Sequence, residues 1–107
     1  MKILVTGANG FIGSALIDYY SNMPEIEVVG LVRKLERDSS NNVEFRRWDI
    51  GLPAKKLPNL SDIDVIIHTA GRAHIMNDSS NDPLKEFRKV NTHGTLHLAT
   101  LAAANGV

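Results

Sequence analysis

Gly7, Gly10 and Gly13 recur every third residue, directly after the apolar run Ile3-Leu4-Val5, and the chain then turns helical through Phe11, Ile12, Ala15, Leu16 and Tyr19. The chemistry this spacing serves is phosphate binding. Gly7 allows a sharp exit from a strand, Gly10 leaves bare backbone for a pyrophosphate to approach, and Gly13 lets the helix lie close on the sheet. The helix start then offers unpaired N–H groups and a partial positive charge. A second strand about twenty residues on makes the pattern that of a dinucleotide site rather than of an ordinary Gly-rich turn.

In such a site an acid at the end of the second strand takes the ribose hydroxyls. Here Val32 is followed by Arg33-Lys34, with Arg37 close behind. A guanidinium there favours a 2′-phosphate, so the local chemistry leans to NADP over NAD, and Arg46 and Arg47 are candidates for the same patch; solvated loop charges are the alternative. Asp49 follows Trp48 at the end of the third strand. Its carboxylate suits the adenine amino group, or simply a turn. Thr69-Ala70-Gly71 ends the fourth strand beside the crevice where strand order reverses, and small residues there let the nicotinamide half lie against backbone. Asn91 is expected on the buried face of the last helix, fastening backbone near residues 69 to 71, with Gly94 one turn on allowing close helix–sheet contact. His93 and His97 stand four apart, a spacing that can grip zinc, and His68 and His74 complete the histidines. Without cysteine or a third ligand on that face, no metal site is expected.

The elements that must position these residues follow from pattern and punctuation. Ser21-Asn22-Met23-Pro24 ends the first helix near Asn22. Ile26 to Val32 reads as a second strand buried on both faces and parallel to the first. Arg33 to Asn42 is a loop, Val43 to Trp48 an edge strand, and Leu52 to Leu60, with Pro53 and Pro58, a connection holding at most a short helix. Asp64 to His68 is a fourth strand and Arg72 to Asp82 another loop. Asp82 as N-cap and Pro83 at the first helical position open the last helix, which closes at Asn105-Gly106. Its expected apolar face is Leu84, Phe87, Val90, Asn91, Gly94, Leu98 and Leu101. Strands alternating with helices imply an α/β fold of right-handed crossovers, a Rossmann-type parallel sheet in order 3-2-1-4 with flanking helices.

The 107 residues make one small domain with no internal repeat. There is no cysteine, so disulfide and thiolate chemistry are excluded, which is compatible with the cytoplasm. Three apolar residues after Met1-Lys2 fall short of a signal-peptide core, and no run reaches membrane-spanning length. With zero formal charge there is no global field to recruit nucleic acid or an anionic membrane.

Taken together, Thr6-Gly7-Ala8-Asn9-Gly10-Phe11-Ile12-Gly13, Trp48-Asp49-Ile50, His68-Thr69-Ala70-Gly71 and Val90-Asn91-Thr92-His93-Gly94-Thr95 resemble the amino-terminal half of an extended short-chain dehydrogenase/reductase of the NAD-dependent epimerase/dehydratase group. The loop Arg72-Ala73-His74-Ile75-Met76 is most similar to bacterial nucleotide-sugar 4-epimerases. The resemblance implies that Gly7, Asn9, Gly10, Phe11, Ile12 and Gly13 hold the pyrophosphate, Arg33 the adenosine ribose or its phosphate, and Asp49 with Ile50 the adenine. Ala70, Gly71 and Asn91 would border the nicotinamide side of NAD or NADP. The family pattern also needs a Ser/Thr on the next strand and a Tyr-x-x-x-Lys beyond it, which these residues lack; Tyr19 and Tyr20 sit on the first helix. The resemblance therefore implies residues 1–107 as a partial NAD(P)-binding domain, stopping before the fifth strand, with the catalytic and nucleotide-sugar-binding half absent. Alone it is expected to be inactive and to self-associate through the 64–68 strand edge or the last helix. A non-catalytic NAD(P)-sensing module, or an NADP-dependent reductase of the same superfamily, is the competing reading, and sequence beyond Val107 the discriminator between enzyme and sensor.

Overall fold

The computed structural model describes residues 1–40, 42–50, 58–71 and 81–107. The expectations for the connection up to residue 57, for the loop at 72–80 and for His74 lie outside the described residues.

The short apolar run at the start forms strand β1 (Lys2–Thr6), and the glycine turn leads into helix α1 (Phe11–Ser21) with Asn22 as its C-cap. Strands β2 (Glu27–Val32), β3 (Val43–Arg47) and β4 (Val65–His68) pair parallel in the order β3-β2-β1-β4. The sheet thus reverses direction of growth at β1, the topology expected from the sequence. Register sets Thr6 beside Leu31 on one side and His68 on the other, so three strand ends converge.

Alternation in β1 divides the core between the two faces of the sheet. Ile3 and Val5 pack with Ile17 of α1, while Leu4 packs with Trp48, Leu60 and Leu98. Each face therefore owns its own helix. Val28, Val29, Leu31 and Val32 are all buried, as a strand covered on both sides requires. Among the described residues β4 is an edge strand, with Val65 exposed and Ile66 and Ile67 partly buried.

The last helix starts where the sequence places it: the Asp82 side chain accepts a hydrogen bond from Lys85 N at 3.1 Å, and Pro83 is the first residue of α2 (Pro83–Phe87). It then departs from expectation. Arg88–Gly94 is a π-helical segment, followed by α3 (Thr95–Ala104). The wider turns shift which residues meet the sheet. Gly94 is pressed against Ile50, where a Cβ would lie 3.0 Å from the Ile50 carbonyl oxygen, whereas Leu84 and Asn91 are exposed. The single apolar stripe read from α-helical spacing is therefore corrected at both residues.

Arg46, although its register partner is Leu31, does not join the basic patch expected near Arg33. Its guanidinium bonds Glu44 Oε1 at 2.7 Å and Asp62 Oδ2 at 2.9 Å, and Lys2 Nζ reaches the same Asp62 oxygen at 2.9 Å. Pairing with nearby acids outcompetes a patch of like charge. Arg46 first, and Lys2 second, hold the Asp62 carboxyl well below the usual carboxylate range. Below about pH 4 the unfolded chain then binds more protons than the folded one, so stability present above that pH is lost as pH falls. Asp62→Asn is expected to flatten this acid limb. Denaturant midpoints at about pH 6 and about pH 3 measure it; an equally steep loss in the variant would contradict the assignment.

Candidate functional site

The ends of β1, β2 and β4 enclose a crevice of about 520 Å³ at the point where the sheet order reverses. Gly7, Asn9, Gly10, Arg33, Asp49, Ile50, Ala70 and Gly71 all line it. Eight of the residues singled out from sequence are thus brought to one cavity, although they come from four separate stretches of chain.

The glycine turn is built by backbone. Gly7 has φ +66°, and a Cβ there would come within 2.8 Å of Ala70 N, so only glycine lets β1 exit against the end of β4. Gly10 N bonds Gly7 O at 2.9 Å and Ser14 N bonds Gly10 O at 2.9 Å, closing the turn and starting α1. A Cβ on Gly13 would overlap the Gly7 carbonyl, so α1 lies directly on the turn. Phe11 and Ile12 are exposed, and neither they nor Gly13 line the crevice with a side chain. What they present is the first N–H groups of α1, which lack intrahelical partners. Among the described residues, and beyond its own chain neighbours, the one atom within 4 Å of an ideal Cβ at Gly10 is Gly7 O, at 3.2 Å. The turn has room for an anion over bare backbone.

Asn9 Nδ2 donates to Lys34 O at 2.8 Å, tying the glycine turn to the end of β2. Arg47 Nε donates to Arg33 O at 3.1 Å, which brings a second guanidinium to that lip, and Lys34 lines the crevice beside Arg33. Arg37 turns elsewhere, to Asp18 Oδ1 at 3.0 Å and over the Phe45 ring. Glu36, which sequence reasoning passed over, also lines the crevice. It is the acid from the loop after β2 that lines the crevice, set beyond the position where the pattern predicts one.

On the far side, Ala70 and Gly71 border the crevice, and a Cβ on Gly71 would lie 3.4 Å from Asn91 Oδ1. Asn91 therefore reaches the strand exit as expected, but from the surface. Two residues sequence reasoning missed hold this exit: Thr6, buried on β1, and His68, at the end of β4. Thr6 Oγ1 accepts from Thr69 N and Ala70 N, both at 3.1 Å, and meets His68 Nδ1 at 2.7 Å. The available signal was a polar residue at the end of each apolar strand, where Thr6 and His68 also begin two of the motifs that carry the family resemblance. Burial pushes the His68 pKa below its ordinary value. Among the described residues no cluster of His, Asp and Glu could hold a metal ion, and no helix is long and apolar enough to cross a membrane.

The model of the NAD dependent epimerase/dehydratase family matches residues 3–107. The chain is 34% identical over 106 residues to UDP-glucose 4-epimerase of Vibrio cholerae, covering 99% of this chain and 32% of that protein. It is 30% identical over 112 residues to a probable dTDP-glucose 4,6-dehydratase of Sinorhizobium fredii, covering 95% and 31%. It thus spans about a third of the length of the curated relatives it matches. The fold is similar to that of UDP-glucuronic acid 4-epimerase from Bacillus cereus, solved with UDP-glucuronic acid and NAD: TM-score 0.75, 28% identity, 95% of this chain and 36% of that one.

Proposed function

Because the chain belongs to the NAD-dependent epimerase/dehydratase family, we propose that its crevice binds an NAD(P) dinucleotide as the cofactor portion of an enzyme that epimerises or dehydrates a nucleotide-sugar. The observation that carries this reading is the Gly7–Gly13 turn, with its positive φ, its tight contact with β4 and its uncovered backbone at Gly10.

Gly7, Gly10 and the first amides of α1 would hold the pyrophosphate, Asp49 and Ile50 the adenine, and Ala70, Gly71 and Asn91 the nicotinamide side. The nicotinamide, when bound, supplies reversible two-electron oxidation of a sugar carbon, which makes inversion or elimination at that sugar accessible. The chain's own contribution is binding and orientation. Tyr19 and Tyr20 take no part in the chemistry, since both lie on α1, where their rings pack edge to face.

Arg33 and Lys34 at the crevice lip, joined by Arg47 through its bond to Arg33 O, make three cations against the two acids that line the crevice, Glu36 and Asp49. NADP+ is therefore expected to bind more tightly than NAD+. A charge-assisted bond to the 2′-phosphate at an exposed lip stabilises by about 1.5 kcal/mol, so Arg33→Ala should lower NADP+ affinity roughly tenfold and leave NAD+ almost unchanged. Calorimetric titration of both dinucleotides tests the reading at two levels. Binding of neither would refute the crevice assignment; tighter NAD+ binding, or an Arg33→Ala variant that keeps its NADP+ affinity, would refute the preference alone.

A further inference from the structure

The Thr6–His68 contact continues. His68 Nε2 lies 2.9 Å from Thr95 Oγ1, and Thr95 Oγ1 donates to Asn91 O at 2.8 Å. A chain of side chains thus runs from the end of β1, through the end of β4, to the π-helical segment. Counting protons gives its direction. A threonine hydroxyl has one hydrogen and two lone pairs. Both lone pairs of Thr6 Oγ1 are taken by the Thr69 and Ala70 N–H groups, so its hydrogen goes to His68 Nδ1. Nδ1 is then the acceptor, and in a neutral ring Nε2 carries the hydrogen and donates to Thr95. Thr95 passes its own hydrogen to the Asn91 carbonyl. Every group is satisfied in this one arrangement.

We propose that His68, as the neutral Nε2–H tautomer, is a positioning residue for the nicotinamide end of the crevice: it sets the 69–71 strand exit and Asn91 in a fixed relation to each other. The proposal rests on the dinucleotide reading of the crevice. Its geometric core is that the two walls come from elements with no direct strand pairing, β4 and the helix, and that the imidazole spans them with one nitrogen to each side. Asn91 is doubly involved, because its carbonyl ends the chain of bonds while its side chain stands against Gly71. A charged ring would put a hydrogen on both nitrogens and face Nδ1–H towards a hydroxyl whose lone pairs are already taken. Burial, which lowers the His68 pKa, works against that state. Of the described elements packed on the ring, β1 has only Lys2, at its other end with Glu27 and Asp62, and β4 has no other ionisable residue; the π-helical segment carries Arg88, Lys89 and His93, with Lys89 4.0 Å from Glu86, and His97 of α3 lies edge-on to Trp48.

Two measurements decide it. In ¹⁵N spectra of the histidine rings near neutral pH, His68 should show an unprotonated Nδ1 and a protonated Nε2; a protonated Nδ1 would overturn the proposal. In calorimetry, His68→Gln, whose amide can replace only one arm, and Thr95→Val, which cuts the helix arm, should each weaken NAD+ roughly tenfold while ADP, which lacks the nicotinamide half, keeps its affinity. Thr95→Ser should recover wild-type NAD+ binding. Thr95→Val and its serine counterpart lie outside the sheet and keep the test available if His68→Gln does not fold. Equal losses of NAD+ and ADP, or none in Thr95→Val, would reduce His68 to an ordinary structural residue and sink the idea. A wild-type protein that binds neither ligand refutes the dinucleotide reading. The ring nitrogens, with the Thr69 and Ala70 amide shifts in Thr95→Val, then decide the link between the walls.

Discussion

Gly13→Ala is expected to destabilise the fold by about 2 to 3 kcal/mol, although alanine is the better helix former. The two effects oppose each other. Within α1 the substitution gains about 1 kcal/mol of helix propensity. Against this, the new methyl would overlap the Gly7 carbonyl, with Ala8 Cα only 3.0 Å away, and both neighbours are backbone that cannot rotate aside. Overpacking typically costs about 1–3 kcal/mol and occasionally more, and a direct overlap with fixed backbone belongs at the upper end, about 3–4 kcal/mol. The clash wins. For a domain of this size the loss should lower Tm by roughly 10 °C or more. Gly10→Ala is the informative contrast, because its Cβ meets only Gly7 O, at 3.2 Å, in a residue whose φ of −76° any amino acid adopts. It should cost about 1 kcal/mol or less of stability yet weaken dinucleotide binding, since on the proposed reading its methyl would take space the pyrophosphate needs. Thermal melts of the two variants, with titrations of the second, check this; a Gly13→Ala protein at least as stable as wild type would rule it out.

The second large effect is expected at Thr6→Val, a change of almost no volume. Thr6 is 1% exposed, and its hydroxyl serves three partners: Thr69 N, Ala70 N and His68 Nδ1. Valine fills the same space and satisfies none of them. Each buried group left without a partner costs about 1–3 kcal/mol, partly relieved at this half-buried strand exit, so a total near 3 kcal/mol follows. Thr6→Ser should recover most of it. Chemical denaturation gives the loss, and hydrogen exchange locates it: the Thr69 and Ala70 amides should exchange faster in the valine variant. Unchanged exchange at both would show that the hydroxyl is not their partner.

What the sequence revealed and what it hid divide along the range of the forces involved. The glycine turn, the strands at Ile3–Val5 and Ile26–Val32, and the Asp82-Pro83 helix start are all dictated by neighbours within a few residues, and they were read correctly. So was the order 3-2-1-4, which follows from strands alternating with helices and from the rule of right-handed crossovers. Arg46 is read differently by the structure because two acids compete for it, Glu44 two residues earlier on the same strand and Asp62 sixteen positions away on the approach to another strand, and only the first is within local view. Asn91 was misread because one face was projected along a uniform α-helix, and no local pattern announced the π-helical turns that carry it to the surface. Thr6, His68 and Thr95 are separated by 62 and 27 positions and become partners only once β1 and β4 are in register. Their types are unremarkable one by one. Glu36 was overlooked for a different reason, since it stands three residues beyond Arg33, outside the position the pattern examines.

Trp48 has a consequence of another kind. It is the sole tryptophan of the sequence, it lines the crevice between the basic lip and Asp49, and its ring meets His97 of α3 edge-on at 5.6 Å. Its indole nitrogen is buried with no hydrogen-bond partner among the described residues. These 107 residues therefore carry one indole fluorophore, which excitation near the red edge selects over Tyr19 and Tyr20, placed at the cavity rather than in a remote part of the core. Its emission originates beside the candidate site, so colour and intensity register what enters the crevice and whether α3 stays seated, without any dye or tag.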